Sequence, residues 1–196
     1  MLSRGYAGGS LLPTLGGGSG LRTPCSTLRR GLGIRARVRR RLRTRAVVTL
    51  RIRHAEPADY DAVIAVIDDW WEGRRMRDML PRLFFTHFRE TSFVAELDGE
   101  LAGFLVGFLS QTLADEAYVH FVGVAPASRG AGVARALYER FFGAAEASGR
   151  TVVRCVTSPA NEGSIAFHAR LGFEQEPPRP GYDGPGEDRV LLSKRL

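Results

Sequence analysis

The chain has 196 residues, of which 44% are apolar and 25% are charged, a balance typical of one soluble globular domain. The net charge is +7, but residues 1–53 hold 13 Arg and no acidic residue. The remaining residues contain 15 basic and 21 acidic side chains, so the overall charge does not indicate a nucleic-acid-binding domain. Two distant cysteines and four scattered histidines exclude a disulfide scaffold, a zinc ribbon and an HExxH metalloprotease, and we expect no metal.

The first 46 residues contain eleven Arg, nine Gly and no acid, and we expect them to form a disordered extension. Three interpretations stay open. The first is a targeting peptide. The second is an arm that uses residues 29–45 to bind nucleic acid or a membrane surface. The third is translated sequence upstream of a true start near Val47. Arg outnumbers Lys 27 to 1, as in a GC-rich genome, which favours the third. We expect no nucleic-acid contact outside residues 29–45.

The predicted domain, residues 47–196, mixes strands and helices, with a strand hairpin before the central helix. The pattern first predicts a strand at 49–53, a helix opened by Pro57 and a helical stretch at 74–88 interrupted by Pro81. Strands at 91–97 and 101–109, joined by an Asp98-Gly99 turn, and a strand at 116–124 follow. The remaining elements are a helix at 130–148, a strand at 151–156, a helix at 161–171, and strands near Phe173 and at 188–192. This order predicts an α+β fold, with a mixed, mostly antiparallel central sheet and helices on both faces. The longest uncharged apolar run is too short to cross a bilayer, so we expect a cytoplasmic protein without a membrane partner.

A Gly-rich turn between a strand and a helix carries the strongest chemical signal. Pro126 ends the strand, and Gly130 and Gly132 precede the helix. The free N–H groups of a helix N-terminus attract phosphate, and no acid stands between Pro126 and Leu137 to oppose this. A plain Gly turn would explain a bare Gly-x-Gly equally well. The turn is neither a dinucleotide fingerprint, because Arg135 replaces the third Gly, nor a P-loop.

Two motifs together make the chain resemble the GNAT superfamily of N-acetyltransferases. Arg129-Gly-Ala-Gly-Val-Ala134 matches its acyl-CoA loop, and Asn161 to Gly172-Phe173 matches a second motif about 30 residues later. The resemblance covers residues 49–196. It implies transfer of an acetyl group from acetyl-CoA to a primary amine by direct attack, the acceptor being a small molecule or a protein amine.

The resemblance also implies how the donor binds. The pantetheine arm would pair with the strand at 122–124, loop amides would hold the pyrophosphate, and the thioester would lie where two central strands splay apart. The residues that it assigns to acetyl-CoA are Val122, Gly123, Val124, Arg129, Gly130, Ala131, Gly132, Val133, Ala134 and Asn161. His168 stands where many members have a Tyr that protonates the leaving thiolate. Imidazole can donate a proton too, or His168 simply packs beneath the donor.

Alternation along the strand at 116–124 gives independent information. It places Ala117, Val119 and Phe121 on an apolar side and Glu116, Tyr118 and His120 on a polar side. Polar residues on a central strand indicate a cleft, or an exposed strand end. An alkyl ammonium must lose a proton before attack, and Glu116 or His120 could accept it. We slightly prefer Glu116, because its carboxylate need not lose a proton first.

Four aromatic residues are candidates for the acceptor site: Trp70, Trp71, Tyr118 and Tyr182. Cys155 alternates within a β-branched strand and is interpreted as inert packing, so we expect no acyl-enzyme. The competing hypotheses are a non-catalytic acyl-CoA-binding module and a nucleic-acid-associated protein acting through its basic segment. We also consider a homodimer.

Overall fold

The computed structural model describes residues 48–196, so the interpretations of residues 1–46 lie outside it. The elements are β1 (Leu50–His54), α1 (Asp59–Trp70), α2 (Leu83–His87), β2 (Phe93–Leu97), β3 (Glu100–Leu109), β4 (Glu116–Val124), α3 (Val133–Ala147), β5 (Val152–Thr157), α4 (Glu162–Arg170), β6 (Glu174–Gln175) and β7 (Val190–Arg195). The helical stretch predicted at 74–88 contains a 3₁₀ turn, Arg77–Met79, and then α2, because Pro81 cannot continue a helix.

The seven strands form one sheet in the order β1-β2-β3-β4-β5-β7-β6. Every neighbouring pair is antiparallel except β4 and β5, which confirms the predicted mixed, mostly antiparallel sheet. The parallel pair is short, running only from Glu116 opposite Val152 to Tyr118 opposite Arg154. Beyond that point β5 stays paired with β7, whereas no strand within residues 48–196 pairs with the β5-facing edge of β4, which we call its open edge. The central strands therefore diverge, as the family resemblance implied.

Helices cover both faces of the sheet, and each face has its own apolar core. On one face α3 packs through Val133, Leu137 and Phe141, together with residues of α4. On the other face α1 contributes Val63 and Ile67, and α2 contributes two phenylalanines. Burial of these side chains supplies the main driving force for folding.

A bulge in β4 changes which side chains share a face. Val106 of β3 lies opposite Phe121, but the next residue, Gly107, lies opposite Val119, so His120 is an extra residue in β4. A bulge shifts the two-residue period by one. Phe121 therefore joins the α1 and α2 core, and its predicted place beside Ala117 and Val119 is wrong.

A buried hydrogen bond joins α3 to α4. Tyr138, which is 1% exposed, has its hydroxyl 2.7 Å from His168 Nε2. His168 Nδ1 lies 2.8 Å from the Ser164 carbonyl oxygen, which can only accept, so Nδ1 carries the proton and Nε2 accepts from Tyr138. His168 is thus fixed as one neutral tautomer inside the core. Burial lowers its pKa, and the bond to Ser164 partly offsets this.

We expect Gly107→Ala to destabilise the fold by about 1–3 kcal/mol, the usual cost of overpacking. A Cβ there would lie 2.6 Å from the Phe141 ring and 2.6 Å from the Tyr118 carbonyl oxygen. Gly143 of α3 is the matched control, since its added Cβ meets nothing within 4 Å. Gly143→Ala should stabilise the protein by about 0.4–1 kcal/mol. Urea unfolding measures both, and equal stabilities for the two variants would contradict the packing described for Gly107.

His168 should make the protein acid-sensitive. Above about pH 6.5 the side chain is neutral both folded and unfolded, and below it the unfolded chain takes up a proton that the folded one resists. Stability is therefore lost as the pH falls from about 6.5 towards the lower folded pKa. We expect His168→Gln to lose less stability than wild type between about pH 7 and pH 5 by urea unfolding. The exposed His87, changed to Gln, is the control, and equal losses in all three proteins would refute the effect.

Candidate active site

The turn before α3 has the geometry of an anion site. Gly130 and Gly132 have φ angles of +81° and +83°, a left-handed conformation that glycine adopts without strain. The amides of Arg129 and Ala131 bond back to carbonyls of the turn. In residues 48–196 no acceptor is found for the backbone N–H groups of the other turn and first-helix residues, which are Gly130, Gly132, Val133, Ala134 and Arg135. These donors and the helix dipole together favour an anion.

Two cavities meet beside this turn and share Arg129. The first, of about 330 Å³, lies between the turn and α4 and reaches Val124, Phe167 and Arg170. The second, of about 480 Å³, lies between the end of α1 and the start of α4 and reaches Trp71 and Asn161. Val124, the last residue of β4, lines the first of these cavities. The size of the two cavities suits a ligand much longer than a phosphate ion.

Asn161 is the N-cap of α4, where its Oδ1 accepts from the Ser164 N–H at 3.2 Å. The Asn161 side chain is therefore held at the wall of the second cavity. Sequence reasoning missed several cavity residues, which are Glu72, Arg74, Gly163, Ser164, Phe167 and Arg170. The α4 members follow helical spacing, so that periodicity could have identified them once Asn161 was placed.

His120 lies on the bulge, two residues past the last β4–β5 pair and exposed to solvent. Its ring stacks on Phe84, with centroids 4.7 Å apart. His120 Nε2 lies 2.9 Å from the Met79 carbonyl oxygen, which can only accept. Nε2 therefore carries a proton, and in the neutral ring Nδ1 keeps its lone pair. His120 presents a free proton acceptor at the open part of β4.

Glu116 lies at the opposite, closed end of β4, roughly 13 Å along the strand from His120. Its Oε1 is 2.6 Å from Arg154 Nε, and its side chain is 14% exposed. The two candidate bases are thus not brought together, and the carboxylate preferred from sequence already has a cationic partner.

His168 and Cys155 both lie in the core. Both ring nitrogens of His168 are hydrogen-bonded, so the side chain offers no free proton to the cleft. Cys155 is 4% exposed, and burial raises the pKa of its thiol to about 12. A thiol held protonated is a poor nucleophile, consistent with direct transfer.

The four aromatic candidates occupy different environments. Trp70 is 8% exposed and packs on Phe104. Trp71 stacks on Phe121 at 5.3 Å and lines the second cavity. Gly123 permits this arrangement, because an added Cβ would lie 2.8 Å from the Trp71 ring.

Tyr118 stacks on Phe108, and Tyr182 is 45% exposed. Burial raises the pKa of Tyr118, and the nearby Tyr182 and Asp183 raise it further.

Among residues 48–196, none of the helices is long and apolar enough to cross a bilayer. The same part of the chain contains no cluster of three or more side chains that could ligate a metal.

Comparison with known sequences gives one partial relative of named activity. The chain is 36% identical over 89 residues to an L-2,4-diaminobutyric acid acetyltransferase from Nocardia farcinica. That match covers 45% of this chain and 46% of the relative, so the aligned part spans less than half of either protein.

Solved structures share the fold over most of the described chain. Ard1 from Thermoplasma volcanium matches with a TM-score of 0.64 and 21% identity, covering 75% of this chain and 97% of its own. Diaminobutyrate acetyltransferase EctA from Paenibacillus lautus, solved with L-2,4-diaminobutyric acid and coenzyme A, matches with a TM-score of 0.59 and 22% identity, covering 74% and 94%.

The model of the acetyltransferase (GNAT) family matches residues 57–173, a segment that contains the Gly-rich turn before α3, the divergent strands and Asn161. The resemblance seen in the two sequence motifs is confirmed, and the chain belongs to the GNAT acetyltransferase family.

Proposed function

We propose that the protein transfers an acetyl group from acetyl-CoA to a primary amine by direct attack. The observation that carries this proposal is the open edge of β4 leading into a helix N-terminus with unpaired N–H groups. An extended pantetheine arm can pair with that edge as an added strand. The pyrophosphate at its far end would then reach Gly130, Gly132 and the first amides of α3.

His120 would act as the general base. Its Nδ1 takes a proton from the acceptor ammonium, directly or through one water, and the neutral amine attacks the thioester carbonyl. The adduct keeps the second amine proton on its nitrogen, and this proton passes to the departing sulfur, directly or through water, as the C–S bond breaks. The amide and the free thiol of coenzyme A are then formed, and His120 returns its proton to solvent. The cysteine thiol, a reference for this leaving group, has an unperturbed pKa near 8.5, so the departing sulfur needs no acidic side chain. Neither Glu116 nor His168 is required in this scheme, because both are held by other residues.

The first acceptor to test is a small diamino acid such as L-2,4-diaminobutyrate. The second cavity has one carboxylate, Glu72, and two guanidinium groups, Arg74 and Arg129. The carboxylate of an amino acid can pair with one of these guanidinium groups and its α-ammonium with Glu72, which leaves a second amine for the thioester. The similarity to a diaminobutyric acid acetyltransferase supports the same choice.

An assay with radiolabelled acetyl-CoA and a panel of amines tests the proposal. The panel contains L-2,4-diaminobutyrate, polyamines, an aminoglycoside and a peptide with a free N-terminus. Labelled product with any of them supports acetyl transfer. Tight acetyl-CoA binding without transfer to any amine would favour a non-catalytic acyl-CoA-binding module. Nucleic-acid binding that depends on residues 29–45 would favour a nucleic-acid-associated protein.

Gly132→Asp should abolish acetyl-CoA binding, whereas Gly132→Asn should retain most of it. The two side chains have nearly the same shape, and both tolerate positive φ, so their difference isolates the added charge. No atom within 4 Å blocks a Cβ here. Like charges about 4 Å apart near a protein surface repel by ~4 kcal/mol, so we expect at least a ~10-fold difference in affinity. Calorimetry measures both, and equal affinities would show that the turn does not hold the pyrophosphate.

His120→Ala should lower kcat/KM by roughly 10²–10⁴-fold without changing acetyl-CoA affinity. The change removes the Nδ1 lone pair that accepts the proton, whereas the turn before α3 is left intact. His87→Ala, at an exposed histidine of α2, is the control. A pH–rate profile with the acceptor found above measures the effect. A His120→Ala profile that superimposes on wild type would remove His120 from proton transfer.

A further inference from the structure

A chain of four alternating charges crosses the closed end of the parallel pair. Arg154 Nε of β5 donates to Glu116 Oε1 of β4 at 2.6 Å. Arg154 Nη1 lies 3.7 Å from Glu176 Oε1, and Arg179 Nη2 donates to Glu176 Oε2 at 2.7 Å. We call these four residues the charge chain. It joins two central strands to residues 176–189, the loop between β6 and β7.

This loop is braced internally as one unit. Arg179 and Arg189 exchange two backbone hydrogen bonds at its base. Arg189 pairs with Asp183 and Glu187 at 2.7 and 2.8 Å. A displacement of the loop base is therefore passed on to its tip, where Tyr182 lies.

The charge chain begins on the strand that carries the proposed base. Glu116 is two residues before Tyr118, and Tyr118 lies opposite Arg154 in the β4–β5 ladder, so these three side chains share one face of the sheet. Glu116 is the least exposed side chain of the four, at 14%, against 38% for Arg154 and 36% for Glu176. Of the ion pairs in the charge chain, Glu116–Arg154 is therefore the one least screened by solvent.

We propose that Glu116 is a positioning residue that holds the 176–189 loop, through Arg154 and Glu176, against the acceptor side of the sheet. This inference rests on the proposed acetyl transfer and gives Glu116 a role in acceptor affinity rather than in proton transfer. The charge chain fixes the base of the loop beside the face of β4 and β5 that carries Tyr118, so that the loop bounds the acceptor site on that side.

The test is a double-mutant cycle of Glu116→Ala and Arg154→Ala. Each single change should raise the acceptor KM by roughly 3- to 30-fold, the range produced by contacting residues that couple. The double variant should be no worse than either single, because both remove the same bond. The values of kcat and of KM for acetyl-CoA should stay near wild type. Glu139→Ala is the control, since Glu139 forms an exposed pair with Arg135 at 3.8 Å outside the loop.

A role for Glu116 as the base gives a different pattern. Glu116→Ala alone would then lower kcat by roughly 10²–10⁴-fold and remove the acid limb of the pH–rate profile, with no such change in Arg154→Ala. That result would overturn the proposal, as would unchanged acceptor KM in both single variants.

Hydrogen exchange supplies a readout that does not need activity. The amides of Gly181 and Glu187 are hydrogen-bonded inside the loop. Both should exchange faster in Glu116→Ala and in Arg154→Ala than in wild type or Glu139→Ala, because a released loop opens more often. Unchanged exchange would overturn the positioning role even if no amine is acetylated, whereas faster exchange without acetylation would reject only the proposed function.

Discussion

Three residue pairs of parallel ladder hold β4 and β5 together, and the divergence that follows shapes the rest of the structure. A fully paired strand would have no backbone groups left for a ligand. Here the β5-facing edge of β4 is open from Val119 onward, and β5 keeps its other partner, β7. The N-terminal end of α3 borders the first cavity and that of α4 the second, and Arg129 lines both.

Local rules predicted the elements whose signals lie within a few residues. Asp98 and Gly99 both have positive φ, at 52° and 88°, as the predicted hairpin turn requires. The free amides before α3 follow from helix geometry alone, and the bounds predicted for β4 match the structure. Each of these features is determined by residues that are close to it in the sequence, so a single sequence is enough to predict it.

Features that depend on partners elsewhere in the chain could not be read in this way. The bulge at His120 is defined by the register with β3, and nothing in the local residues marks it. The partner of Glu116 is 38 residues away on β5, so its carboxylate looked free in the sequence. The predicted face of Phe121 was wrong because the bulge cannot be seen in the local sequence. The preference for Glu116 over His120 was made without knowledge of the ion pair on β5.

His168 shows how a changed residue is accommodated. Its imidazole is shorter than the tyrosine side chain that many family members have there, and Tyr138 of α3 supplies the hydroxyl that meets it. A buried polar pair with every hydrogen-bonding group satisfied costs little, whereas either partner alone would leave an orphaned polar atom. We therefore interpret residues 138 and 168 as a coupled pair that joins two helices.

The burial of Cys155 has a consequence for tolerance of oxidants. Peroxides and disulfides react with thiolates, and a thiol with a pKa near 12 is almost wholly protonated in any cellular compartment. Its position next to the divergence of the central strands would otherwise expose the site to sulfenic acid or mixed-disulfide formation. Among residues 48–196, the one cysteine is thereby shielded from such oxidation.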